Sequence, residues 1–173
     1  TRSVTNMLYS FDEADAFYQE LVWDSCSVKN MQGTFKDADV FNSELAWDTI
    51  KVSNMRETFA STRVFNTQLA WDTSKVTNMW RTFYAAEKFN KALAWDTSSV
   101  TDMGLTFNGA AAFNQPLVWD TSQVMKLQNM FKEASSFNQP GISAWDVSKA
   151  SNMGSIFSNT ALASDCLLYT SDA

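Results

Sequence analysis

A core methionine or leucine returns every 24 residues along most of this chain, at Met7, Met31, Met55, Met79, Met103 and Leu127, and after 26 residues at Met153. Trp23, Trp47, Trp71, Trp95, Trp119 and Trp145 keep the same beat. All 13 phenylalanines fall at two repeat positions, the first exemplified by Phe35, Phe59 and Phe83, the second by Phe41, Phe65 and Phe89. A unit this short cannot hide so many large side chains by itself, so the units must stack and bury them against one another. The two extra residues of the last interval lie between Phe137 and Trp145. There Asn138, Gln139, Pro140 and Gly141 read as a lengthened turn, a place where a stack tolerates insertion.

One unit, Val52 to Trp71, gives the expected local structure. Val52, Met55, Phe59 and Phe65 are spaced by three, four and six, and neighbouring units place alanine (Ala38, Ala86, Ala110) at the position of Thr62, which matches a helical period. A helix of two to three turns is expected. Asn42, Asn66, Asn90, Asn114 and Asn138 follow the second phenylalanine, where a left-handed asparagine would end that helix. Leu69-Ala70-Trp71 then fits a three-residue strand with its first and third side chains on one face, as do 21–23, 45–47, 93–95 and 117–119. Asp72-Thr73-Ser74 turns the chain toward the next unit.

The buried face follows by elimination. Were the middle residue of Leu-x-Trp inside, the aspartate column Asp24, Asp48, Asp72, Asp96, Asp120 and Asp146 would be inside too, and burying unpaired carboxylates is prohibitively costly. Leucine and tryptophan therefore face the core. The outer face carries the small apolar column Val22, Ala46, Ala70, Ala94 and Val118 beside Asp48, Asp72, Asp96 and Asp120, and these residues are the candidate partner-binding site.

The blocks Phe113-Asn114-Gln115-Pro116-Leu117-Val118-Trp119-Asp120-Thr121-Ser122 and Trp71 to Met79 resemble the repeat of BspA-like leucine-rich-repeat surface proteins, a family that includes mycoplasma lipoproteins of unknown function. The resemblance spans nearly all of residues 1–160. It implies an α/β fold, a right-handed leucine-rich-repeat-type solenoid of about seven 24-residue strand-turn-helix units. It also implies display on the cell surface or outside the cell and, as in some members, adhesion to protein or glycan partners. Asp102 and Lys126 depart from the asparagine before the core residue, and Ser143 from the strand leucine.

Residues 1–165 read as one repeat body. It starts where a preceding Trp-Asp should stand, as a fragment without caps would. Residues 166–173, Cys166-Leu167-Leu168-Tyr169-Thr170-Ser171-Asp172-Ala173, are what one reading frame of a transposase-based sequencing adaptor encodes, and are expected to be a non-native tail; the competing reading is that Leu167 and Tyr169 continue the Leu-x-Trp column. Cys26 and Cys166 are the only cysteines and form no metal-like pair, and Cys26 replaces a turn residue.

The chemistry of the remaining residues favours binding over catalysis. Histidine is absent, which removes the commonest general base, and no phosphate-binding glycine loop or zinc spacing occurs. No cofactor or metal is expected. With 19 acidic and 13 basic residues the net charge of −6 repels nucleic acid. No apolar run approaches the roughly 20 residues of a membrane-spanning helix.

Stacked aspartates about 5 Å apart repel by roughly 1 kcal/mol per pair in water. Hydrogen bonds from their own turns offset this; a line of weak calcium sites is the alternative. The tryptophans read as core and not as a sugar platform, and the threonines Thr49, Thr73, Thr97 and Thr121 lack the paired spacing of an ice-binding face. The expected function is a non-enzymatic surface recognition or adhesion module; the alternative is a structural spacer with no ligand of its own.

Overall fold

The computed structural model describes residues 3–162; the tail at 166–173, with the two readings of its origin, lies outside them. The units are stacked in register, each joined to the next through a single-residue parallel bridge along the column Asn6, Asn30, Asn54, Asn78, Asp102, Lys126 and Asn152. Among the described residues there is no α-helix and no extended strand, and the one regular element is a short 3-10 turn, Pro140–Ala144. The expected α/β stack of strand-turn-helix units, and with it the leucine-rich-repeat architecture, is therefore incorrect.

The helix fails because of where the backbone amides go. Met55, Glu57, Phe59 and Ser61 donate to the carbonyls of Asn78, Trp80, Thr82 and Tyr84 in the next coil at 2.6–2.9 Å, instead of reaching four residues back. Between them, Thr58, Ala60 and Thr62 close onto carbonyls three residues back. The segment is thus a run of tight turns. Glu57 and Ser61 sit third in the turns Met55–Thr58 and Phe59–Thr62 with φ of 56° and 59°, the left-handed conformation that a type II turn needs there. Every coil repeats the pair, through Gly33 and Asp37, Arg81 and Ala85, and Leu105 and Gly109. A left-handed residue every four positions and a helix both place Met55 and Phe59 on one side, so the spacing could not separate them.

The Leu-x-Trp strands fail for a different reason. The tryptophan rings are parallel to within 7° from coil to coil, so the 6.2–6.4 Å between ring centres measures how far apart the coils lie at this edge. Strands need about 4.8 Å to hydrogen-bond. The first phenylalanine column is tighter, at 5.3–5.8 Å. The coils therefore fan apart from the bridge column toward the tryptophans. The indole spans the gap: Trp47 Nε1 donates to Leu21 O at 2.9 Å, Trp71 to Leu45 O at 3.1 Å, and the contact recurs as far as Trp145 and Leu117.

The inward and outward sense of these segments is as expected. Leu69 and Trp71 are buried and Ala70 exposed. Three stacked aromatic columns with methionine, valine and leucine make up the core, and the phenylalanines from Phe35 to Phe137 are fully buried. Each such ring contributes about 1.5–3 kcal/mol by burial, and each aromatic pair roughly 0.5–1.5 kcal/mol more.

Polar columns lock the register. The asparagines after the second phenylalanine are not left-handed helix ends, and none has positive φ. The side-chain oxygen of Asn42 accepts the amide of Asn66 at 2.8 Å, and Asn66, Asn90 and Asn114 do the same for the next coil. Buried Thr58 and Thr82 each bond two methionine carbonyls, one in their own coil and one in the coil before. The two departures in the bridge column compensate each other, for Lys126 Nζ lies 3.2 Å from Asp102 Oδ2 where other units pair asparagine amides. Pro140–Ala144 absorbs the insertion, and its Ile142 is buried in place of the missing leucine at Ser143.

Candidate binding faces

The structure leaves the candidate residues of the outer edge exposed, on segments that form no sheet. Val22 and Val118 are 92% and 97% exposed, with Ala46, Ala70 and Ala94 exposed between them. Shallow depressions separate the coils there, one lined by Ala92, Ala94, Asp96, Pro116 and Val118, another by Glu20, Val22, Glu44 and Ala46. The backbone of residues 44–48 makes no backbone–backbone hydrogen bond among the described residues; Leu45 O accepts the Trp71 indole and Asp48 O the Ser25 hydroxyl.

Asp48, Asp72, Asp96 and Asp120 are exposed along the same edge. Each accepts the amide two residues on, at 2.9–3.1 Å. Hydrogen bonds from the Ser74 hydroxyl and amide hold Asp72 below the usual carboxylate range, and Ser98 does the same for Asp96. For Asp120 the Ser122 amide leads. Repulsion from neighbouring aspartates acts on Asp96 and Asp120 in the opposite sense and is outweighed. Turn formation thus accounts for the column. Among the described residues, no three carboxylate, thiol or imidazole side chains converge as metal ligands. The threonines Thr49, Thr73, Thr97 and Thr121 are buried and bond the carbonyl of an aspartate in the next coil.

A second face was missed in the sequence. The run of turns carries side chains that do not repeat: Leu8, Gln32, Arg56, Trp80, Gly104 and Gln128 occupy one column and Tyr9, Gly33, Glu57, Arg81, Leu105 and Asn129 the next, most of them partly exposed. At their centre the guanidinium carbons of Arg56 and Arg81 lie 4.2 and 4.3 Å from the centre of the Trp80 ring, and Arg81 also covers Tyr84 at 4.7 Å. Glu57, largely buried, lies between them and accepts the Tyr9 hydroxyl at 3.3 Å. The available signal was Trp80, the one tryptophan of seven outside the tryptophan column.

The model of the family described as "Mycoplasma protein of unknown function, DUF285" matches residues 1–94 and again 68–167. The chain belongs to this family. No curated protein and no solved structure matches it.

The two overlapping matches of the DUF285 model restate the internal repeat, since the same pattern fits the chain twice. Membership brings no activity, so for this DUF285 chain the surface has to carry the functional argument. It offers two unlike faces: a uniform outer edge of small apolar and acidic residues, and a varied turn face with paired arginines on an aromatic centre. Among the described residues no helix is long and apolar enough to cross a membrane.

Proposed function

We propose that the stack is a non-enzymatic recognition or adhesion module of a cell-surface protein, engaging protein or glycan partners through its outer Leu-x-Trp edge. The observation that carries this reading is the column of almost fully exposed valines, Val22 and Val118, continued by exposed alanines on a rigid ladder. Small side chains let another surface approach the backbone, whose free polar groups can then be bonded, and an extended repeated surface suits a long partner. The flanking aspartates favour a basic partner and faster association at low salt. The resemblance to BspA-like surface proteins supports display outside the cell. A spacer role is the second reading, favoured by the uniformity of the outer edge from coil to coil.

The test coats beads with the protein and measures adhesion to arrayed matrix proteins and glycans, comparing the wild type with Ala70→Arg/Ala94→Arg. Both alanines are exposed, so the double variant should fold, as circular dichroism will check. Adhesion by the wild type that the variant loses supports the outer edge as the binding face. Equal adhesion rejects that face, and no adhesion by either favours the spacer.

A further inference from the structure

Buried polar atoms without a hydrogen-bond partner are rare in folded proteins and call for an explanation. Among the described residues there are three such side-chain atoms, and all lie on the turn face: Arg56 Nε, Arg81 Nε and Gln128 Oε1. Neither guanidinium is locked by an acid. The Glu57 carboxylate approaches Arg56 Nε only to 3.6 Å and Arg81 Nη1 only to 3.8 Å, longer than hydrogen bonds. Stacking on Trp80 and Tyr84 holds the arginines instead, and their side chains remain 42% and 36% exposed. With one carboxylate against two guanidiniums, the cluster keeps a positive charge on an acidic protein.

Gly104 leaves room for the Gln128 amide against the indole edge. A Cβ there would fall 2.8 Å from Gln128 Nε2 and 3.2 Å from Trp80 Cδ1, so the amide and the indole edge converge over a glycine that leaves them room. The face therefore presents planar cationic donors suited to a carboxylate beside an aromatic edge. A ligand that answers both carries an anion and an apolar ring face.

The geometry points to a binding site for a carboxylate-bearing glycan, of the polyuronate class, centred on Arg56, Trp80 and Arg81. The uronate carboxylate pairs with the guanidinium groups, and the sugar ring lies along the aromatic edge. The site rests on the recognition reading but lies on a different face from the outer edge.

The test is calorimetric titration of the full chain with hexagalacturonate, its methyl ester, a glutamate hexapeptide and sodium sulfate. Hexagalacturonate should bind, more weakly as salt rises, while the methyl ester, which lacks only the charge, should not. Arg56→Gln and Arg81→Gln should each weaken binding tenfold or more, and Arg63→Gln, whose arginine pairs with Asp39 away from Trp80, should leave it unchanged. Ala70→Arg/Ala94→Arg should also bind normally, which separates this site from the outer edge: equal adhesion of wild type and variant on the arrays with uronate binding intact removes the outer-edge reading and keeps this one. The methyl-ester comparison needs no variant and holds even if an arginine substitution unfolds the protein. Equal binding of the ester, undiminished binding by both glutamine variants, equal or tighter binding of the peptide or of sulfate, or no uronate binding at all would each overturn the proposal.

Discussion

Within one coil, two segments solve the same stacking problem by opposite means. From Met55 to Ser61 every second backbone amide bonds the next coil, and the side chains that project outward differ from unit to unit. From Leu69 to Asp72 no backbone–backbone bond is made among the described residues; an indole N–H crosses to the neighbouring coil instead, and the side chains hardly vary. Where the backbone carries the stacking, outward residues are free to change, and arginine, tryptophan, leucine or glycine can stand in one column. Where a side chain carries it, the tryptophan, the leucine that packs with it and the aspartate that starts the following turn must all recur. Regularity in this sequence marks the places where side chains do the joining.

The widest test of that comparison asks whether the joints are locked in register. Deleting one whole unit, residues 72–95, brings Trp71 against Asp96 and leaves every column continuous. The shortened protein should keep its circular-dichroism spectrum and melt cooperatively. Deleting only residues 72–83 would set the tryptophan column against the turn segment and should abolish cooperative melting. Similar melts for both deletions would show that the joints are not specific.

The tryptophan joint itself comes next. Trp71→Ala removes a buried ring from a continuous column and should cost about 3–5 kcal/mol in urea denaturation. Trp71→Phe keeps most of the packing but leaves Leu45 O without its donor, for a loss of roughly 1–2 kcal/mol. If Trp71→Phe cost nothing, the indole bond would not be what holds this edge.

Much of this was legible in the sequence: the period, the stacking, the buried columns, the outward valines and alanines, and the aspartate turns. What failed was the local backbone. Met55 and Phe59 are four apart whether they lie on a helix or on two successive turns, and apolar spacing alone does not choose. The choice was recorded only in part, at Gly33, Asp37, Ser61, Gly109 and Asn129, where glycine and short polar residues accept positive φ; Tyr9, Glu57, Arg81 and Leu105 hold the same conformation without that signal. Strand formation failed through a distance that no single unit specifies: coils held 6.3 Å apart between Trp47 and Trp71 cannot pair. The turn-face cluster escaped because attention to what repeats passes over what does not, and Trp80 is conspicuous only as an exception to the tryptophan column.

On the turn side the corresponding joint is the buried threonine. Thr82 donates to Met55 O and shares its hydroxyl with Met79 O, at 3.0 and 2.8 Å, inside a fully buried column. Thr82→Val keeps the shape and removes the hydroxyl, and should cost about 0.5–1.5 kcal/mol, since Met55 O keeps the Thr58 amide and hydroxyl and Met79 O keeps the Thr82 amide and the Thr106 hydroxyl. The loss should not exceed that of Trp71→Phe, which takes from Leu45 O its indole donor. No loss at all would mean that backbone bonds alone suffice on this side.

The smallest effect concerns the aspartates of the outer edge. The bonds from Ser74, Ser98, Ser122 and Ser148 lower the pKa of Asp72, Asp96, Asp120 and Asp146 in the folded chain. A folded pKa below the unfolded value of about 3.9 means that the folded state favours the ionised form. The resulting stability is present above that value and is lost as pH falls through the folded pKa. Because these carboxylates are exposed to water, solvent screens the gain and the acid-induced loss should be modest. Asp72→Asn/Asp96→Asn keeps an acceptor in each turn but removes the titration, so its urea midpoint should fall less between pH 6 and pH 2 than that of the wild type. It should also lose less at pH 6 than a double alanine variant, which has no acceptor. Parallel pH profiles for the asparagine variant and the wild type would show that repulsion along the column cancels what the serine turns contribute.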